Sequence, residues 1–296
     1  MKVHRALNQL EQLREHVRCV GDVREEDWVD FFGESYEKYT APIVAGIARI
    51  KRETGTYTRN DLLRPFFNEI TKKADGSRDA QGIKDFYASQ TLSRLLAYEL
   101  GHRDWIKNAL GGLIGGWERE PKQVAMTAAL SFFDEPLRVL EHGFGNGVYL
   151  LGFFAQHPEG KYFAVDYKCK TREFVIAMLR KYLRMDVTPI WLTTDSIERY
   201  ENFGPYHLVN SCEVMEHIPE PVAEVQRIAS CIVPGGLLTM STFFNSCNGQ
   251  DPQHLECNDL FQDSQMWFDH VRAAGLIPYM NDPRGILKVW LKEGAL

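Results

Sequence analysis

No Cys-x-x-Cys pair occurs among the six cysteines, which stand at positions 19, 169, 212, 231, 247 and 257. Paired-cysteine metal or redox chemistry therefore lacks its usual spacing. No apolar run is long enough to span a bilayer, and no cationic-then-apolar secretion signal opens the chain. A reducing, cytoplasmic setting with free thiols and no membrane is expected. Positive charge is not in excess: the formal net charge is −6. No global field draws in nucleic acid, although Lys168, Lys170 and Arg172 form a local basic cluster. There is no internal repeat and no low-complexity tract. A phosphate-cradling P-loop is excluded as well, because no glycine turn ends in Gly-Lys-Ser/Thr.

What is present is ordinary globular material, 296 residues with 44% hydrophobic and 25% charged side chains. That length suits one large domain or two. The chain is organised around Arg138-Val-Leu-Glu-His-Gly-Phe-Gly-Asn-Gly147. Leu137, Val139 and Leu140 predict a buried strand, Gly143, Gly145 and Gly147 a tight turn, and residues 148–155 a helix packed on the sheet. Strand, glycine turn and helix bring backbone close to a ligand. The spacing Glu-x-Gly-x-Gly-x-Gly does not match the dinucleotide fingerprint Gly-x-Gly-x-x-Gly. A carboxylate at Glu141 would repel a pyrophosphate but accept a hydrogen bond from an ammonium group.

Residues 1–121 show mostly helical periodicity. Leu7, Leu10 and Leu13 share one helix face, and Leu92, Leu95, Leu96 and Leu100 another. Further helices are expected near Asp27, after Pro42 and after Thr58, with a polar loop from Lys72 to Gln81 and a glycine hinge from Gly111 to Gly116. This first part is expected to be a cap that shapes a substrate pocket, and its helices are candidates for a homodimer contact. A purely structural helical subdomain is the alternative.

Residues 122–296 read as a second domain, led by a helix from Lys122 to Phe133. Strands and helices then alternate, the signature of a mostly parallel sheet covered on both faces. Strands are expected at Lys161–Asp166, Thr188–Thr193, Tyr206–Asn210 and Gly236–Phe243, with two more near Leu276–Met280 and Ile286–Leu291. Helices are expected at Thr171–Leu183, Pro221–Ser230 and Asp259–Ala274. Ligands in such sheets lie outside the carboxyl ends of strands. Asp166 ends the second strand about 20 residues past the glycines, the interval at which an acid meets a ribose. Capping of the next helix is its structural alternative, as it is for Asp195 and Ser196 after the third strand.

The second strong signal is Asn210-Ser-Cys-Glu-Val-Met-Glu-His-Ile-Pro-Glu-Pro221. With the Glu-x-Gly-x-Gly-x-Gly turn and Val233-Pro-Gly-Gly-Leu-Leu238, it resembles the ordered motifs of class I S-adenosylmethionine-dependent methyltransferases. The resemblance covers about Lys122 to Lys292 and not the first part of the chain. It implies an α/β, doubly wound, mostly parallel seven-stranded sheet, here with an N-terminal helical subdomain. It also implies S-adenosylmethionine as cofactor. By position, Glu141, Gly143, Gly145 and Gly147 would line its methionine end. Asp166 would bind the ribose, Tyr167 would lie against the adenine, and Asp195 and Ser196 would read the adenine edge. Cys212 and Glu213 would flank the sulfonium. His142 and Phe144 fall at variable positions of the motif.

Methyl transfer requires an oriented nucleophile and a place for its proton. His217 and His254 are the candidate bases, with Glu216 beside the first. His254 falls in an insert, Asn245 to Glu256, expected over the site's mouth; a solvent-exposed loop histidine is the alternative. On an α-helix Glu213, Glu216 and His217 would share a face. Joined by His254 they would offer a divalent-metal site, as in ubiquinone-pathway and small-RNA 2′-O-methyltransferases, which this arrangement resembles. The expected activity is methylation of a small polar or hydroxylated metabolite. Metal-assisted O-methylation, including RNA 2′-O-methylation, and a non-catalytic cofactor-binding scaffold are the rivals.

Overall fold

The computed structural model describes residues 49, 52–53, 55, 121–144, 150, 153, 156–166, 190–193, 200–242, 244, 264–281 and 287–294. Apart from Arg49, which has helical backbone, the expected N-terminal helices lie outside the described residues, as do the glycine hinge, the helix at 171–183 and the insert at 245–256. So do the basic cluster at 168–172 and the turn at 282–285.

The described elements run α1 (Pro121–Phe132), β1 (Arg138–His142), β2 (Lys161–Asp166), β3 (Ile190–Thr193), β4 (Tyr206–Cys212), α2 (Pro221–Ser230), β5 (Ile232–Ser241), α3 (Ser264–Ala273), β6 (Leu276–Asn281) and β7 (Leu287–Lys292). Short 3-10 turns occupy Tyr200–Phe203 and Met215–His217. After the glycine turn, Leu150, Phe153 and Gln156 have helical backbone and are buried.

The strands form one seven-stranded sheet in the order β3-β2-β1-β4-β5-β7-β6. The pairs from β3 to β5 are parallel, and β7 runs antiparallel to both of its neighbours. Chain order reverses beside β1: the chain goes outward through β2 and β3, then returns to lay β4 on β1's other edge. A crevice at the carboxyl ends follows from that reversal.

Register assigns side chains to faces. Leu140, Val209 and Leu238 stand in one row, with His142, Ser211 and Met240 one row further along the same face. That face packs Val225, Ile228 and Ala229 of α2 and Trp267 and Val271 of α3 into one core. The other face carries Val139, Leu208 and Leu237, then Glu141, Asn210 and Thr239; α1 lies against β4, β5 and β7. Pro221 opens α2 at its first turn, where a missing N–H costs nothing. Burying Val225 and Ile228 contributes about 1.5–3 kcal/mol each. The Glu224–Arg227 pair on the same helix adds only about 0.2–0.5 kcal/mol as an i,i+3 contact. Apolar burial outweighs that ion pair in docking this helix.

The strand expected from Gly236 begins earlier, at Ile232. Val233-Pro-Gly-Gly lies inside β5, not before it. Tyr206 pairs with Ile232 and Leu208 with Leu237, so β5 bulges outward between those rungs. Gly235 has φ +75°, and a Cβ on Gly236 would stand 2.9 Å from Val233 O and 3.1 Å from His207 O. The bulge lets the strand run through a proline that would otherwise have stopped it.

Two imidazoles cap the entry to β1. Leu137 N–H donates to His157 Nε2 at 3.2 Å, and Arg138 N–H donates to His207 Nδ1 at 2.9 Å. The acceptor role of Nδ1 leaves His207 Nε2 to donate to Glu135 Oε1 at 2.8 Å. Burial pushes the His207 pKa down, Glu135 opposes that, and Arg138 adds to it. Because the folded value is depressed, the folded chain binds fewer protons than the unfolded chain below about pH 6.5. The contribution is complete above that value and declines as pH falls through it. The unfolding temperature should drop between about pH 7 and about pH 5, and His207→Asn, which keeps an acceptor but cannot titrate, should flatten part of that slope. An unchanged slope in thermal melts would remove His207 from this role.

Candidate active site

The carboxyl ends of β2, β1 and β4 lie side by side and gather the polar residues. β1 is built of buried positions through His142 because it is covered on both faces. The strand stops at Gly143, whose φ is +71° and whose N–H donates to Val165 O at 2.8 Å. A Cβ at Gly143 would fall 2.3 Å from Val214 Cγ2. The turn after β1 and the loop after β4 are therefore locked against each other, and only glycine fits both the angle and the space.

Glu141 is 2% exposed, inside β1 rather than at its tip. Its Oε1 accepts from Asn210 Nδ2 at 2.6 Å. Asp166 closes β2 and is half-buried, opposite Thr193 of β3. Cys212 closes β4, and its thiol donates to Asn210 Oδ1 at 3.2 Å.

The loop after β4 corrects one expectation. Glu213, Glu216 and His217 do not share an α-helical face. Glu213 has φ +59°, a left-handed backbone that costs about 1–3 kcal/mol for a side-chain-bearing residue. It is held there at both ends: its N–H donates to Ser241 O at 3.1 Å, and Ser241 Oγ donates to its Oε1 at 2.5 Å. Glu216 and His217 belong to the 3-10 turn that follows, closed by His217 N–H to Val214 O at 3.0 Å. The left-handed residue turns Glu213 outward, whereas Glu216 is fully buried. Glu216 is buried in that turn, and His217 is half-exposed. Among the described residues no set of three or more His, Cys, Asp or Glu converges as metal donors. Gly145, Gly147, Tyr167, Asp195, Ser196 and His254 lie outside the described residues.

A buried network on the sheet's other face went unforeseen. His142 Nε2 donates to Glu224 Oε1 at 3.0 Å, and His142 Nδ1 meets Ser211 Oγ at 3.0 Å. Tyr200 OH donates to the same Glu224 oxygen at 2.6 Å, and Arg227 Nη1 lies 3.0 Å from Glu224 Oε2. The one signal in the sequence was a histidine at an otherwise apolar strand position.

The residues present suit a ligand with a cationic amino-acid end and a ribose. A buried carboxylate beside a glycine turn accepts an ammonium group, and a strand-end acid accepts vicinal hydroxyls. The seven-stranded order and the sequence match that follows make the chain a class I S-adenosylmethionine-dependent methyltransferase. The sequence model of the family described as "Methyltransferase domain" matches residues 117–292, more than half of the chain. The chain belongs to that family. No curated protein matches it.

Solved structures with similar coordinates include an O-methyltransferase family protein from Burkholderia thailandensis, at 12% identity and TM-score 0.47, covering 93% of this chain and 100% of that one. A plantazolicin methyltransferase gives 11% identity and TM-score 0.48, over 79% and 100% of the two chains. A 1,6-didemethyltoxoflavin-N1-methyltransferase, also from Burkholderia thailandensis, gives 16% and 0.39, over 64% and 86%. The family assignment rests on the sequence match, and the substrates in those names belong to those proteins. Among the described residues no helix is long and apolar enough to cross a membrane.

Proposed function

We propose that this chain methylates a small polar or hydroxylated metabolite, holding the donor along the carboxyl ends of β1 and β2 and the acceptor over the end of β4. The observation that carries this is the interlock of Gly143 with Val214, which holds the turn after Glu141 against the loop that follows Cys212 and carries Glu213, beside Asp166 at the end of β2. Glu141 and the Gly143 backbone take the donor's amino-acid end, and Asp166 takes its ribose hydroxyls. Cys212 and Glu213 flank the sulfonium.

When bound, S-adenosylmethionine supplies a methyl carbon activated by a positively charged sulfur. That carbon would pass to an acceptor lone pair, with the sulfur–carbon bond's electron pair left on sulfur. The leaving group departs neutral, so little charge stabilisation is asked of the protein. Its contribution is alignment. His217, half-exposed at the end of the β4 loop, takes the acceptor's proton. A small acceptor is favoured over RNA by the net charge of −6 and by the carboxylates at the strand ends.

The test is transfer of a labelled methyl group to a panel of hydroxylated and amine metabolites. Turnover on at least one is expected. With that substrate, Asp166→Ala should raise the donor KM by about 10- to 100-fold, the worth of hydrogen bonds to a charged group, with a smaller change in kcat. Donor binding without transfer to any acceptor would favour the scaffold instead. An unchanged donor KM would remove Asp166 from the ribose.

A further inference from the structure

Glu141, Asn210 and Thr239 stand directly opposite one another on β1, β4 and β5. Glu141 is 2% exposed, and Asn210 and Thr239 are 0% exposed. Hydrogen bonds run along the row in one direction. Thr239 Oγ1 donates to Asn210 Oδ1, and Asn210 Nδ2 donates to Glu141 Oε1 at 2.6 Å. The Cys212 thiol donates to the same Asn210 oxygen at 3.2 Å. A carboxylate only accepts, so the amide's orientation is fixed: nitrogen toward Glu141, oxygen toward the two donors.

We infer that Asn210, oriented by Thr239, is a positioning residue that presents the Glu141 carboxylate to the donor's ammonium group. This rests on the placement of the donor proposed above. Three features carry it. The row crosses the sheet one or two residues before the carboxyl ends of β1, β4 and β5, next to the β1–β4 pair where the chain order reverses. Its only formal charge is Glu141; a lysine or arginine at 210 would neutralise that carboxylate, whereas an amide supports its ionised form and leaves its charge to attract a cation. Asn210 also joins the two halves of the site, contacting Glu141 on one side and Cys212 on the other. Such a row could instead only fasten three strands together, and the experiment separates the two roles.

Calorimetric titration with S-adenosylhomocysteine would be run on the full chain and on Glu141→Gln, Asn210→Leu and Thr239→Val, from about pH 6 to about pH 8. Glu141→Gln should weaken binding by about tenfold or more at every pH. Asn210→Leu removes the amide donor and leaves a buried carboxylate whose ionised form is less favoured. Its affinity should be about tenfold below the parent near pH 6 and should recover as pH rises, while the parent changes little. Thr239→Val should show the same trend at a few-fold and keeps the test intact if Asn210→Leu does not fold. If Glu141→Gln binds as the parent does, the donor placement itself fails. If Glu141→Gln weakens binding while the other two variants bind normally, or lose affinity equally at all pH values, the row is only a fastening and the inference is overturned.

Discussion

Glu224→Ala should lower the free energy of unfolding by about 3–5 kcal/mol, the range for removing one partner of a buried, hydrogen-bonded charge. The Glu224 side chain is only 9% exposed. Burial alone would raise its pKa, yet hydrogen bonds from His142 and Tyr200 and the nearby Arg227 hold it at about 2. Alanine would leave the His142 Nε2 and Tyr200 OH donors buried without this acceptor, at about 1–3 kcal/mol each. Tyr200 reports the same coupling from its own side: burial first, then Glu224, drive its pKa far upward.

The sign with pH follows from the depressed folded value. Stability from Glu224 is present above the unfolded carboxyl pKa near 4.5 and is lost as pH falls from there through about 2. Urea melts at neutral pH would measure the loss, expected alongside a fall on the order of 10 °C in unfolding temperature. A loss under about 1 kcal/mol would mean that the surrounding polar groups find other partners. The network also has a functional position. It binds α2 and the 3-10 turn at Tyr200 to His142, the residue immediately before Gly143, and so braces the start of the glycine turn.

Gly143→Ala is the second substitution with a large expected effect, and it acts on the site rather than on the core. At φ +71° an alanine costs about 1–2 kcal/mol in the left-handed region. Its Cβ would also meet Val214 Cγ2 at 2.3 Å, so the β4 loop must shift, at about 1–3 kcal/mol more. Because the turn and the loop carry opposite sides of the site, donor affinity should fall by roughly 100-fold. The double variant Gly143→Ala with Val214→Ala should recover part of the loss by removing the contact, but not the part due to backbone angle. A loss in the double variant equal to the sum of the losses in Gly143→Ala and Val214→Ala alone, measured by calorimetry, would show that the turn and the loop do not act on each other.

Much of the sheet is legible in the sequence, because its central strands are buried on both faces and read as short apolar runs ended by polar residues. Lys161–Asp166 is such a strand, and its closing acid stands at the sheet's carboxyl edge. What was not legible depends on register. Glu141 and Asn210 lie 69 residues apart in the chain, and only the parallel pairing of β1 with β4 makes them neighbours. The same holds for His142 and Glu224, 82 residues apart. The helical reading of Glu213, Glu216 and His217 failed for a local reason. Spacing alone cannot show that Glu213 turns left-handed before the short 3-10 turn begins. Val233-Pro-Gly-Gly misleads in the opposite sense, since turn residues here make a bulge within a strand.

The central claim is that a methyl donor lies across the carboxyl ends of β1, β2 and β4. A crystal structure of the protein with S-adenosylhomocysteine bound tests it most directly. The amino-acid end is expected beside Glu141 and Gly143, both ribose hydroxyls on the Asp166 carboxylate, and the sulfur next to Cys212 and Glu213. A nucleoside seated away from Asp166, or an amino-acid end out of reach of Glu141 and the Gly143 backbone, would contradict it.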